Sequence, residues 1–171
     1  MASQDRAFVK RHKIKSILNM THDLPCHFHG GGGRERAIRG GIEYAIVPVD
    51  DSLKTKDYKI MEKALPFAVA FLHRNVDIEK NPTLVHCFAG AQRSATAVAA
   101  YLMTHRPDIA PSYEKAVKYV YSRRPAAWHE GEHVNFHQAL RAYAKSHTKA
   151  SVGAVSAGYT GGTTHNAPVK K

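Results

Sequence analysis

Residues 82–94, with the sequence PTLVHCFAGAQRS, contain a nucleophile and an anion-binding group at a short spacing. Cys87 ends a short apolar run, Gly90 follows three residues later, and Arg93 follows six residues after the cysteine. A cysteine thiolate is a strong nucleophile, and the planar guanidinium of an arginine can bind two oxygens of a phosphate at once. The spacing therefore predicts a loop that holds a phosphate group between Cys87 and Arg93.

The chain on either side is predicted to place this loop between a strand and a helix. Residues 83–87 (TLVHC) form a short apolar run, and residues 94–106 (SATAVAAYLMTHR) are alanine-rich and helical in pattern. A helix N-terminus presents unpaired backbone N–H groups and a partial positive charge, so it forms a cradle for an anion of phosphate size. The residues expected to supply the loop amides are Phe88, Ala89, Gly90, Ala91 and Gln92.

The field that binds phosphate also stabilises a thiolate. Cysteines at helix N-termini have pKa values of roughly 3.5–7.5 instead of about 8.5. Cys87 is therefore expected to be the nucleophile, and Arg93 to bind the phosphate and stabilise the transition state. The Ser94 hydroxyl is expected to hydrogen-bond the sulfur and help it leave, while His86 points away and holds the loop. The alternative interpretation of Cys87 is a buried structural thiol.

Short strands alternate with helical patterns along the chain, which predicts a three-layer α/β fold with a central, mostly parallel sheet. Two proline positions bear on the helices, since Pro66 is expected to kink or split one of them and Pro111 to occupy the first turn of another. A glycine-rich stretch over residues 29–41 is predicted to be a loop. The predicted strands cover 14–20, 42–49 and 83–87, and the predicted helices cover 56–75, 94–106, 111–124 and 132–147.

We expect one catalytic domain over residues 1–147 and a flexible, disordered tail over 148–171, where glycine, serine, threonine and alanine predominate.

The segment HCFAGAQRS resembles the His-Cys-x5-Arg-Ser/Thr signature of the cysteine-dependent protein tyrosine phosphatases. ILNMT, YAIVPVDD, VHCFAGAQRS and AYLM follow one another as in the small dual-specificity branch, and RRPA and NFHQALRAY resemble its closing segment. The resemblance covers about residues 14–145. It implies a protein phosphatase that hydrolyses phosphotyrosine and phosphoserine/threonine through a cysteinyl-phosphate intermediate, without a metal or other cofactor. That family's domain usually opens with a strand pair, for which the residues before Ile14 leave no room, so we expect an exposed sheet edge or a homodimer that covers it.

The resemblance also implies a general acid, an aspartic acid on an upstream loop that protonates the leaving oxygen. Asp50 and Asp51 both follow the second predicted strand. Aligning Tyr44 with the tyrosine of the family assigns this role to Asp51, and Asp50 stays open as the alternative.

Composition limits the partners and the compartment. The formal net charge is +11, from 25 basic and 14 acidic residues, which suits an acidic or phosphorylated substrate; nucleic acid is also possible, although no nucleic-acid motif accompanies the charge. The sequence has no apolar run of about 20 residues that would span a membrane. The two cysteines, Cys26 and Cys87, without a secretory signal suggest free thiols in the cytoplasm, with the nucleus also accessible.

Several alternatives remain open at this stage. An RNA 5′-phosphatase or a phosphoinositide phosphatase would use the same chemistry, and a non-catalytic module would bind phosphorylated partners without turnover. HEGEH (129–133), with His137 four residues beyond, matches the His-Glu-x-x-His pattern of zinc hydrolases, but Gly131 interrupts it. Cys26 is either inert or a redox partner of Cys87. The arginines of the 29–41 loop (Arg34, Arg36 and Arg39) either meet acidic flanks of a substrate or are simply solvated.

Overall fold

The computed structural model describes residues 5–22, 24, 37–39, 41–52, 54–128 and 135–156. Its strands, in chain order, are β1 (Ser16–Asn19), β2 (Ala37–Arg39), β3 (Ile42–Ile46) and β4 (Thr83–His86). Its α-helices are α1 (Arg6–Arg11), α2 (Thr55–Leu72), α3 (Arg93–His105), α4 (Tyr113–Arg123) and α5 (Asn135–Ser156), and a π-helix (His73–Ile78) follows α2. Over these described ranges, no helix is long and apolar enough to cross a membrane.

The four strands form one sheet in the order β2-β3-β1-β4. β1 pairs in parallel with both β3 and β4, and β2 pairs antiparallel with β3, which confirms the predicted mostly parallel sheet. At the carboxyl end of β1, Asn19 lies opposite Ile46 of β3 and His86 of β4. The loops that follow β3 and β4 therefore leave the sheet at the same end, which is where α/β proteins build their sites.

The two edges of the sheet differ from each other. β4 is an edge strand, because no strand among the described residues pairs with its outer side. That this edge is exposed or covered by a second copy stays a prediction. At the other edge, β2 comes from the stretch predicted to be a loop, so the prediction for residues 29–41 is wrong for residues 37–39. Gly41, with φ at 76°, turns the chain between β2 and β3, a left-handed conformation that glycine adopts without steric cost. The side chains of β2, including Arg39, are outside the described part.

Helices cover both faces of the sheet, as a three-layer fold requires. Successive residues of β1 point to opposite faces. Leu18 belongs to the large core formed with α2, α3, α4 and α5, in which Leu65, Phe136 and Leu140 are fully or almost fully buried. Ile17 belongs to a smaller cluster with Val9 of α1 on the other face; Ile42 and Tyr44 complete it.

The helices depart from prediction in three places. α2 runs through the exposed Pro66 as one helix, so a split there is wrong. α4 begins at Tyr113 because the Ser112 hydroxyl caps it by accepting a hydrogen bond from Lys115 N (3.3 Å). Pro111 therefore precedes the cap and is not in the first turn as predicted. α5 continues to Ser156, so helix extends into the first part of the predicted tail; residues 157–171 lie outside the described residues.

Candidate active site

The loop between β4 and α3 has the conformation that an anion cradle requires. Cys87 directly follows β4, and α3 begins at Arg93. Gly90 has φ at 68°, which places it in the left-handed region and lets the loop curl. Residues 91–94 are buried, whereas the Phe88 side chain is 65% exposed at the rim. The predicted strand, loop and helix are therefore all present, and the helix N-terminus faces the loop interior.

The Cys87 thiol is 3% exposed and lies 3.3 Å from the Ser94 hydroxyl oxygen. Burial alone would raise the pKa of this thiol. Hydrogen bonds from the Ser94 hydroxyl and backbone amide, the charge of Arg93 and the Gly90 amide outweigh burial and lower the pKa below its ordinary value. The surroundings therefore favour the nucleophilic thiolate.

We call residues 87–92, between β4 and α3, the phosphate loop. Arg93 connects it to the loop that follows β3. Its Nη1 donates to the backbone oxygen of Val49 (2.9 Å), and its Nε lies 3.3 Å from Asp51 Oδ2. The guanidinium is about nine-tenths buried, so its orientation is fixed by these contacts from a loop 44 residues away. One carboxylate thus lies beside the group that is expected to bind phosphate.

The two candidate acids occupy different positions. Asp51 faces Arg93, whereas Asp50 lies 3.3 Å from His22 Nε2 and pairs with Lys56 Nζ (3.8 Å) at the surface. A group that protonates a bound phosphoester must lie within hydrogen-bonding reach of it. The geometry favours Asp51 over Asp50, and the catalytic role of Asp51 stays a prediction.

A buried carboxylate that the sequence analysis missed anchors the loop of Asp50 and Asp51. Asp57, in the first turn of α2, is fully buried, and its Oδ2 accepts hydrogen bonds from Ser52 N and Ser52 Oγ (both 2.7 Å). Burial alone would raise the pKa of Asp57, but these hydrogen bonds and the Lys54 amide outweigh it and lower the pKa. An aspartate three residues into a helix is a known capping signal and could have identified it.

Arg124, also missed, binds the phosphate loop from outside. Its Nε donates to Gly90 O (2.6 Å) and its Nη2 donates to Ala89 O (3.1 Å). A Cβ atom on Gly90 would lie 2.9 Å from Arg124 Nη2, so a larger residue would collide with this guanidinium. Because two consecutive carbonyls are held on the outer side, the amides of the same segment are free to face the anion.

The turn after Arg124 adds a third contact of this kind. Trp128 N donates to Ala91 O (3.0 Å), and the indole Nε1 donates to Thr96 Oγ1 (3.3 Å) in α3. We call Arg124 and Trp128 with these hydrogen bonds the outer clasp. It binds the carbonyls of three consecutive loop residues, so it restricts the loop to one orientation before any ligand arrives.

The remaining predicted residues are placed as follows. His86 is buried, with Nδ1 3.4 Å from Cys87 O, and burial lowers its pKa, which favours the neutral imidazole. His137 is buried against Tyr113 and the Trp128 ring. The zinc-hydrolase motif at 129–133 and the other residues singled out earlier (Cys26, Arg34 and Arg36) lie outside the described residues.

A cavity of about 520 Å³ flanks the phosphate loop on the side of β4. Its walls include Leu84 and Val98 with Tyr119 and Arg123 of α4. Cys87 and Ser94 reach it, but Arg93 and Asp51 do not line it, so it lies beside the anion cradle and does not contain it.

Comparison with known proteins agrees with this geometry. Residues 1–146 match the family described as "Dual specificity phosphatase, catalytic domain". The chain is 33% identical over 126 residues to dual specificity protein phosphatase Mpk3 of Drosophila melanogaster (65% of this chain, 28% of that protein). It is 29% identical over 125 residues to human dual specificity protein phosphatase 21 (73% of this chain, 56% of that protein), so it spans only part of each relative.

The fold agrees as well. The crystal structure of human DUSP28 superposes with a TM-score of 0.63 at 25% identity, covering 81% of this chain and 79% of that one. The described sheet and helices are those of this fold, as the sequence predicted. The chain belongs to the family of dual specificity phosphatase catalytic domains.

Proposed function

We propose that the chain is a protein phosphatase that hydrolyses phosphotyrosine and phosphoserine/threonine through a cysteinyl-phosphate intermediate. The observation that supports this most is the buried Cys87 with a lowered pKa, beside Ser94 and Arg93 at the start of α3. A module that only binds phosphate needs the amides and the arginine, but it does not need an activated thiolate.

In the first step, the phosphate occupies the cradle and the Cys87 thiolate attacks phosphorus. A new sulfur–phosphorus bond forms as the bond from phosphorus to the leaving oxygen breaks. Arg93 and the loop amides stabilise the charge on the remaining phosphate oxygens, and Asp51 gives its proton to the leaving oxygen. Without substrate, Asp51 is paired with Arg93 (3.3 Å). A bound phosphate competes for that guanidinium, and its negative charge favours the protonated carboxyl that the step needs.

In the second step, water attacks the phosphorus of the cysteinyl-phosphate. Asp51, now ionised, accepts a proton from this water, and inorganic phosphate leaves as the sulfur–phosphorus bond breaks. The sulfur departs as a thiolate, and the Ser94 hydroxyl at 3.3 Å can donate a hydrogen bond to it. The two steps together return Cys87 and Asp51 to their starting states.

Protein substrates are favoured by the family. The relatives above are named as protein phosphatases, and the net charge of +11 suits acidic, phosphorylated peptides. The same charge would also suit an RNA 5′-end or an anionic lipid headgroup, so the substrate class needs a direct comparison.

The test compares turnover of a phosphotyrosine peptide and a phosphothreonine peptide with that of 5′-triphosphorylated RNA and a phosphoinositide. We expect release of inorganic phosphate from both peptides at kcat/KM values well above those for RNA and lipid. Arg93→Lys keeps the charge but loses the two-pronged geometry, and it should abolish turnover of all four. Faster turnover of RNA or lipid than of either peptide would contradict the protein assignment, and full activity of Arg93→Lys would contradict the proposed site.

A further inference from the structure

A second cluster of chemically active side chains lies at the far end of α3 from the phosphate loop. His73 and Asp77 are on the π-helix, and His105 is the last residue of α3. One ligand atom from each of the three lies within 4.8 Å of the other two. His73 Nδ1 is 2.9 Å from Asp77 Oδ2, and the two imidazoles stack with their centroids 3.9 Å apart. The length of α3, about 18 Å at 1.5 Å per residue, separates this cluster from Arg93.

The carboxylate of this cluster is held by a further hydrogen bond. Tyr101 Oη donates to Asp77 Oδ1 (2.8 Å), which leaves Oδ2 on the side of the histidines. Metal-binding carboxylates are commonly oriented by such a hydrogen bond to the second oxygen. Arg106 follows His105 in the chain, and its guanidinium is ion-paired with Asp108 (3.4 Å).

We propose that His73, Asp77 and His105 bind a divalent transition metal ion of the Zn²⁺ class. Two imidazole nitrogens and one carboxylate oxygen are a common ligand set for zinc. None of these three residues belongs to the HEGEH motif or to the phosphate loop.

Ligation requires a small, local rearrangement. The lone pairs of the two stacked imidazoles lie in nearly parallel planes and cannot meet at one point, so the rings must rotate until both nitrogens point at one centre. With zinc–ligand distances of about 2.0–2.2 Å, ligand atoms in a tetrahedral site lie roughly 3.3 Å from one another. Atom pairs that are now farther apart must approach, whereas His73 Nδ1 and Asp77 Oδ2, now 2.9 Å apart, must separate slightly. The three side chains are only partly buried, which leaves them room for this movement, and water can complete the coordination.

The site would join two elements that are distant in sequence. The π-helix leads from α2 into β4, and His105 ends the helix that begins at the phosphate loop. A metal ion there would cross-link the two segments in the folded state only. It would therefore raise stability by mass action without taking part in phosphoryl transfer.

The test uses the full chain carrying Cys87→Ser, because the thiolate of the phosphate loop is itself a zinc ligand. Zinc chloride is titrated by calorimetry and by thermal unfolding, and cobalt chloride by visible absorption. His105→Gln and Asp77→Asn are added separately to this background. His12→Gln is the matched control, because His12 is exposed in the chain segment after α1 and its ring contacts the Phe8 ring.

We expect the Cys87→Ser parent to bind one equivalent of zinc. His105→Gln and Asp77→Asn should lose this equivalent, and His12→Gln should retain it. At a hundred-fold excess over its Kd, zinc should raise the Tm of the parent by about 5–10 °C. Zinc should not raise the Tm of His105→Gln. In chelator, the Tm of His105→Gln should be close to the Tm of the parent. Equal zinc stoichiometry and an equal Tm rise in the parent and both cluster variants would overturn the proposal. Because Cys87 is absent from every protein compared, neither result depends on the phosphatase activity.

Discussion

Replacing Arg124 with alanine tests whether the outer clasp orders the phosphate loop. The substitution removes the hydrogen bonds to Gly90 O and Ala89 O. A hydrogen bond with a charged donor contributes about 1.5–3 kcal/mol, but Arg124 is exposed, so we take the range of ordinary hydrogen bonds, about 0.5–1.5 kcal/mol each. Two such bonds give about 1–3 kcal/mol, or roughly a 5- to 150-fold loss of anion affinity, if ligand binding must then order the loop.

The assay measures kcat/KM on an aryl phosphate together with the inhibition constant of vanadate. We expect kcat/KM to fall and the vanadate constant to rise by the same factor, since both depend on the ordered amides. The matched control is Arg123→Ala, which removes a neighbouring guanidinium that lies over the Tyr119 ring (5.4 Å) and contacts no loop carbonyl among the described hydrogen bonds. Free guanidinium ion should partly restore the kcat/KM of Arg124→Ala but not that of Arg93→Lys.

The result that refutes this reasoning is specific. If Arg124→Ala and Arg123→Ala raise the vanadate constant equally, the effect is one of general surface charge and the clasp has no role. If Arg124→Ala lowers only Tm, the residue is structural and does not position the loop.

Three further predictions concern the proton and the thiolate. Asp51→Asn should lower kcat by about 10²–10⁴-fold on substrates with poor leaving groups and far less on aryl phosphates with good ones, while Asp50→Asn changes little; the reverse order in a substrate series would contradict the assignment. Because the pKa of Cys87 is lowered, alkylation of this thiol should stay fast at pH values below the ordinary thiol pKa. Ser94→Ala should shift the pH profile of alkylation to higher pH; an unshifted profile would exclude Ser94 as a cause of the lowered pKa. The lowered pKa of Asp57 means that its contribution to stability is present above its unfolded-state pKa and is lost as pH falls through the folded-state value. Asp57→Asn should therefore lower Tm at neutral pH by more than at pH 3, and an equal Tm loss at both would contradict this.

The phosphate loop could be predicted because its determinants lie close together in the sequence. The strand ending at Cys87, the glycine at position 90 and the helix beginning at Arg93 fall within about ten residues. Backbone geometry and helix electrostatics indicate an anion-binding loop from this short stretch alone, although contacts from distant residues also hold it. The same holds for the mostly parallel sheet, since β1, β3 and β4 are short apolar runs and a helical pattern separates β3 from β4.

Contacts between distant segments could not be predicted in the same way. Arg124 lies 34 residues from Gly90, and nothing in the local pattern distinguishes it from the neighbouring Arg123. β2 was missed because the surrounding glycines indicate a loop, although the paired glycines at 40 and 41, with Ile38 before and Ile42 after them, are also typical of a tight hairpin. Pro66 misled because the packing of Leu65 and Val69 in the core stabilises α2, and a local pattern does not show this offset to the cost of a proline.

The central claim is that the sulfur of Cys87 forms a covalent bond to phosphorus during turnover. Rapid acid quenching of the enzyme with a ³²P-labelled phosphotyrosine peptide, followed by peptide mapping, measures this directly. We expect one labelled peptide containing Cys87, more label in Ser94→Ala because breakdown of the intermediate slows, and none in Cys87→Ser. Steady turnover by Cys87→Ser, or label on any other residue, would contradict it.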